Sequence, residues 1–113
     1  MQHDVPRKDD SFPAIEPYTR LAIIGAGSWG TAIAAMARRA GREVTLWARD
    51  PDLARAIAEH SVNETYLPGL ALPPGIRASA DLAEVVAEAE AVFLVTPSHS
   101  IRDIARRLAP LLP

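Results

Sequence analysis

From Leu21 onward the chain alternates short apolar runs with longer segments in which apolar positions recur every three or four residues. Leu21-Ala22-Ile23-Ile24 has the length and composition of a strand. Residues from about Ser28 to Ala40 form an alanine-rich helical pattern, and Gly41 stands where a glycine terminates a helix. Val44-Thr45-Leu46-Trp47, rich in β-branched and aromatic side chains, predicts a second strand. Asp50-Pro51 is a helix cap followed by proline at the first helical position, and opens a helix through about Glu59. Between Asn63 and Gly75 the pairs Pro68-Gly69 and Pro73-Pro74 interrupt any regular pattern, so this segment reads as a loop. A brief strand is expected over residues 76–78. Asp81 and Glu84 have the spacing of a capping box for a helix over Leu82–Ala89. Ala91–Thr96 is continuously apolar, as in a strand buried on both faces of a parallel sheet. Pro97 ends it, and Ser98 is placed to cap a last helix over about Ile101–Leu108.

Strands alternating with helices in this way predict an α/β fold, a doubly wound parallel sheet with helices on both faces. Right-handed crossovers place the four strands in the spatial order third, second, first, fourth. A complete doubly wound domain continues past the fourth strand, so the expected sheet is incomplete, with Ala91–Thr96 as an open edge. The chain therefore reads as the first part of a longer protein. Residues 1–19 carry Asp4, Asp9, Asp10, Glu16 and three prolines with little periodicity, and read as a flexible N-terminal extension. Residues 20–113 form the domain.

Composition narrows the function classes. A length of 113 residues allows one domain, and 49% hydrophobic residues with a net charge of -2 belong to a globular protein with no nucleic-acid preference. With no cysteine and three scattered histidines, no metal site is expected. The N-terminus has no apolar stretch after its charges, and no run approaches the roughly 20 residues needed to span a bilayer. A cytoplasmic protein without membrane partners is the expectation.

The junction between the first strand and the first helix carries the chemistry. Gly25-Ala26-Gly27-Ser28-Trp29-Gly30 is a G-x-G-x-x-G motif in a strand–turn–helix context, the pattern of a dinucleotide-binding turn. Gly25 permits the sharp exit from the strand, Gly27 permits close approach of a pyrophosphate, and Gly30 permits close helix packing. The helix start directs unpaired amides at the phosphates. At the end of the second strand, where an acidic residue holds the ribose of NAD, this chain has Trp47-Ala48-Arg49. Arg49 suits the 2′-phosphate of NADP, its alternative being a solvated surface charge, and Asp50 is better explained as a helix cap. Trp29 reads equally as core or ligand contact, and Trp47 as packing. Thr96 and Pro97 lie on the same carboxyl edge, where their backbone groups can line the nicotinamide ribose. His99 reads as a surface or capping residue, and Asp81, Glu84, Glu88 and Glu90 as solvated carboxylates.

The glycine motif, Val44–Asp50, the segment Asn63-Glu64-Thr65-Tyr66-Leu67-Pro68-Gly69 and Val95-Thr96-Pro97-Ser98-His99 together closely resemble the amino-terminal portion of bacterial NAD(P)-dependent glycerol-3-phosphate dehydrogenases, over about residues 20 to 113. The resemblance implies a Rossmann-type fold and NADP or NAD as cofactor. It also implies hydride transfer between NAD(P)H and dihydroxyacetone phosphate or sn-glycerol 3-phosphate, feeding phospholipid synthesis. It carries over Ser28, Trp29, Arg49 and Tyr66 as cofactor contacts. In this family a lysine on the next strand and a separate helical substrate domain complete the site; here the sole lysine is Lys8, so no catalytic residue is assigned and residues 1–113 alone are expected not to turn over substrate. Two alternatives stay open: a non-catalytic nucleotide-binding fragment, and another Rossmann reductase of ketopantoate or hydroxy-acid type, against which the N-x-x-Y-L-P-G segment argues. Homo-oligomerisation is undecided by the sequence.

Overall fold

The fold is built around its first strand, whose last three residues, Ala22, Ile23 and Ile24, are fully buried. A computed structural model describes residues 19–113, and the expected N-terminal extension lies, apart from Thr19, outside the described residues. Strand β1 (Arg20–Ile24) is followed by helix α1 (Ser28–Arg39), β2 (Glu43–Trp47) and α2 (Pro51–His60). The small strands β3 (Val62–Asn63) and β4 (Leu67–Ala71) come next, then β5 (Arg77–Ser79) and α3 (Leu82–Val86). Strand β6 (Ala91–Leu94), helix α4 (Ser98–Leu108) and a 3-10 turn (Ala109–Leu111) complete the order.

The main sheet has the order β5-β2-β1-β6, all parallel, which is the third-second-first-fourth arrangement expected from right-handed crossovers. Alternation along each strand divides the core into two layers. Ile23, Val44 and Leu46 face α1 and α2, meeting Ala34, Ala35, Ala54 and Ile57. Ala22, Ile24 and Trp47 face α3 and α4, meeting Leu82, Val85, Ile104 and Leu108. Burying each of the larger aliphatic side chains stabilises the fold by about 1.5–3 kcal/mol, so β1, fully covered on both sides, anchors the sheet.

Several local expectations are corrected. The segment read as a loop contains an antiparallel pair, β3 with β4, in which Pro68 and Gly69 are tolerated because β4 has one neighbour only. Helix α3 stops at Val86, short of Ala89, and the capping box is half made. The Asp81 carboxylate accepts from the Ala83 amide at 3.0 Å, while the Asp81 amide donates to Ser79 Oγ, leaving Glu84 without a capping role. Helix α4 begins at Ser98, not near Ile101: Pro97 is its N-cap, the Ser98 side chain makes no capping bond, and the Pro97 carbonyl accepts from the Ser100 amide at 2.8 Å. Strand β6 ends at Leu94, and its expected two-sided burial is incomplete, with Phe93 44% and Leu94 42% exposed. Among the described residues no strand pairs with its outer edge.

Glu90 is the largest correction to the reading of the acidic residues as solvated. Its Oε1 accepts from the amides of Thr19 at 2.7 Å and Arg20 at 3.0 Å, while the Arg20 guanidinium donates to the Glu88 carbonyl and lies 3.5 Å from Glu90 Oε2. A carboxylate thus fastens the start of β1 to the start of β6. The Arg20 and Thr19 amide bonds, aided by the Arg20 charge, hold the Glu90 pKa below its ordinary value of about 4.5. A depressed carboxyl pKa contributes stability that is present above the ordinary value and lost as pH falls through the native one. The thermal midpoint of the wild-type chain is expected to fall more steeply below about pH 4.5 than that of Glu90→Gln; parallel curves in pH-dependent thermal denaturation would show that the clamp is electrostatically silent.

Candidate functional site

At the carboxyl edge of the sheet, three chain segments converge so closely that only glycine fits. Gly25 leaves β1 with φ +129°, and a Cβ there would collide with the carbonyl of Val95 just past β6, reaching 2.8 Å from its carbon. A Cβ on Gly30, in the first turn of α1, would overlap the Gly25 carbonyl oxygen. Gly27 differs: its φ is an ordinary -75°, and a Cβ built on it meets nothing within 4 Å. Two glycines are therefore required by packing, whereas Gly27 is not and borders open space. Gly27 is also the N-cap of α1, with its carbonyl accepting from the Thr31 amide at 3.0 Å, so the preceding helix amides have no intrahelical partner.

These segments floor a cavity of about 850 Å³. Its lining contains all nine residues singled out in the sequence: Gly25, Gly27, Ser28, Trp29, Gly30, Arg49, Tyr66, Thr96 and Pro97. Trp29, left open between core and ligand contact, is 78% exposed at the rim and is no part of the core. Trp47 is packing as expected, 3% exposed with Nε1 donating to the Ala80 carbonyl at 2.9 Å, and one side of it also reaches the cavity. Arg49 is exposed at the end of β2 with Cζ 5.5 Å from the Trp47 ring centroid. Asp50 caps α2, its carboxylate accepting from the Asp52 amide at 2.9 Å. His99 stands exposed in the first turn of α4 and lines the cavity without a described side-chain partner. Thr96 also lines the cavity, and its Oγ1 is buried with no described hydrogen-bond partner.

One residue that assembles the site has no assigned role in the sequence reading. Asn63, fully buried, donates through Nδ2 to the Ala26 carbonyl at 3.0 Å and to Thr31 Oγ1 at 2.8 Å. Its Oδ1 accepts from the Tyr66 amide at 3.1 Å. Thus Asn63 ties the glycine turn, helix α1 and the β3–β4 connection to one another, and sets where Tyr66 stands. Its position three residues before Tyr66 in the same segment was the available signal. A second cavity, about 480 Å³, opens at the amino end of the sheet beside the Glu43–Arg77 ion pair, and contains none of the nine residues. Among the described residues no group of three or more histidine, aspartate or glutamate side chains could hold a metal ion. No helix among them is long and apolar enough to cross a membrane.

The family model described as the NAD-dependent glycerol-3-phosphate dehydrogenase N-terminus matches residues 20–113. The chain belongs to this family. It is 52% identical over 93 residues to the glycerol-3-phosphate dehydrogenase [NAD(P)+] of Rhodospirillum rubrum, covering 82% of this chain and 27% of that protein. To the enzyme of the same name from Paramagnetospirillum magneticum it is 50% identical over 91 residues, covering 80% of this chain and 33% of the relative. A crystal structure of glycerol-3-phosphate dehydrogenase from Coxiella burnetii superposes with a TM-score of 0.78 at 34% identity, over 84% of this chain and 29% of the other. The chain thus spans about a third or less of the length of these dehydrogenases, and its fold is their incomplete Rossmann-type sheet.

Within this dehydrogenase fold, Asn63→Ala removes three hydrogen bonds and strands Thr31 Oγ1 and the Ala26 carbonyl in the interior. At about 1–3 kcal/mol for a buried polar group left unpaired, the variant is expected to lose about 2–4 kcal/mol of stability. Chemical denaturation measures this, and a loss below about 1 kcal/mol would mean that Asn63 does not hold the turn.

Proposed function

We propose that residues 20–113 are the dinucleotide-binding part of an NAD(P)-dependent glycerol-3-phosphate dehydrogenase, an oxidoreductase acting between dihydroxyacetone phosphate and sn-glycerol 3-phosphate. The observation that carries this reading is the contrast among the three glycines. Gly25 and Gly30 are locked by backbone contacts, whereas Gly27 guards empty space at the start of α1, where a pyrophosphate would meet the free helix amides. The residues present fit such a cofactor: Gly27 and Ser28 at the pyrophosphate, Arg49 at the adenosine ribose, and Thr96 and Pro97 toward the nicotinamide end. Tyr66 and Trp29 line the same cavity.

When bound, the nicotinamide supplies the hydride; what this chain contributes is binding, orientation and exclusion of water. The supply of glycerol 3-phosphate for phospholipid synthesis, a cytoplasmic location and the absence of nucleic-acid or membrane partners belong to the same reading. It assigns no proton donor, since the one lysine, Lys8, lies outside the described residues. Residues 1–113 alone are expected to bind the dinucleotide without turnover.

Two variants test the reading. Gly27→Ala places a methyl in open space and forfeits only the N-cap preference, so its stability should drop by no more than about 1 kcal/mol, while NADPH and NADH should both bind at least about tenfold more weakly. Arg49→Glu should weaken NADPH by about tenfold or more and spare NADH. Calorimetric titration of the folded chain measures both; no saturable binding of either dinucleotide to the wild type would overturn the assignment.

A further inference from the structure

The guanidinium of Arg49 has a counterpart on the other side of the sequence. Arg107, exposed in the last turn of α4, also lies with Cζ 5.5 Å from the centroid of the Trp47 ring. Two cations that each stand 5.5 Å from one centroid are at most about 11 Å apart, little more than the Debye length of about 8 Å at physiological salt. The ring beneath them is a fixed mount: Trp47 is buried and its Nε1 is committed to the Ala80 carbonyl. Neither arginine takes part in a described ion pair: Asp50, beside Arg49, caps α2, and Asp103, one turn before Arg107 on α4, makes no described bond to it.

Two like charges gathered on one rigid indole repel each other, and the arrangement is relieved by an anion at the end of β2. Trp47 and Arg49 line the cavity and Arg107 does not, so the anion meets Arg49 directly and Arg107 through the field at its back. We propose that Arg107 is a second determinant of cofactor choice, a positioning and electrostatic partner that, with Arg49 across Trp47, favours a dinucleotide bearing a 2′-phosphate. This inference rests on the reading of the cavity as a dinucleotide site. It adds a residue sixty positions downstream of Trp47, at the other end of α4 from His99 and Ser100, which line the cavity.

A charge acting at about 10 Å near a protein surface shifts the affinity for a phosphate by about two- to fivefold at low salt. In titrations of the folded chain, Arg107→Gln is therefore expected to weaken NADPH by about two- to fivefold and leave NADH unchanged, with the difference vanishing at about 0.5 M salt. Arg107→Lys, which keeps the charge and loses the planar stack, should retain most of the NADPH affinity. Equal weakening of both dinucleotides would assign Arg107 a merely structural role in holding Trp47, and unchanged NADPH affinity would remove it from the site; either overturns the proposal. Failure of wild-type protein to bind either dinucleotide overturns the dinucleotide reading and this inference together, whereas NADH and NADPH binding with an indifferent Arg107 overturns the inference alone.

Discussion

The closeness of three backbones at the end of β1 governs the architecture. Gly25, Gly30 and the Val95 carbonyl occupy a space from which side chains are excluded, so the first strand, the first helix and the last strand meet at a single point. That contact sets how near α1 lies to the sheet, and with it the depth of the alanine-rich layer of Ala34 and Ala35 against Ile23 and Leu46. Small residues on the helix and branched ones on the strands are two sides of one spacing. The same convergence leaves the first amides of α1 without intrahelical partners, which makes this closely packed point also part of the floor of the 850 Å³ cavity.

Around this floor the site is assembled from pieces that do not touch in sequence. Arg49 arrives with β2, Tyr66 with the β3–β4 pair, and Thr96 and Pro97 with the exit of β6. Asn63 is the joint: its amide makes bonds in three directions, to a turn carbonyl, a helix hydroxyl and a neighbouring amide. A buried amide with every group paired both fixes geometry and forbids alternatives, because any displacement strands polar atoms in a dry interior. Thr96, whose side chain lies beside Gly25, keeps its buried Oγ1 without a described partner.

Much of this was legible in the chain because it depends on local signals. The apolar runs gave the parallel strands and their order, Asp50-Pro51 gave the start of α2, and the spacing of the glycines gave the turn. The misreadings share a cause: they depend on partners far away in sequence. Pro68-Gly69 reads as a loop until Val62 and Asn63 are seen to offer β4 a single neighbour. Ala91–Thr96 reads as doubly buried because an apolar run does not say whether both faces are covered, and Phe93 and Leu94 stay exposed. Glu90 reads as a solvated acid because the amides it binds lie 70 and 71 residues earlier. Trp29 is ambiguous by type and settled only by its exposure.

Glu90 also answers a problem that parallel sheets pose. Sliding one strand past another by a single residue turns its core-facing side chains toward the wrong layer, and the two cores here, one against α1 and α2 and the other against α3 and α4, differ in size and shape. The Glu90 carboxylate grips two successive amides at the very entry to β1, immediately before Leu21 meets Ala91. It works as an indexing pin: a slipped pairing would leave the carboxylate without its paired donors, so the observed phase of β6 against the central strand is favoured by a contact outside either hydrophobic layer.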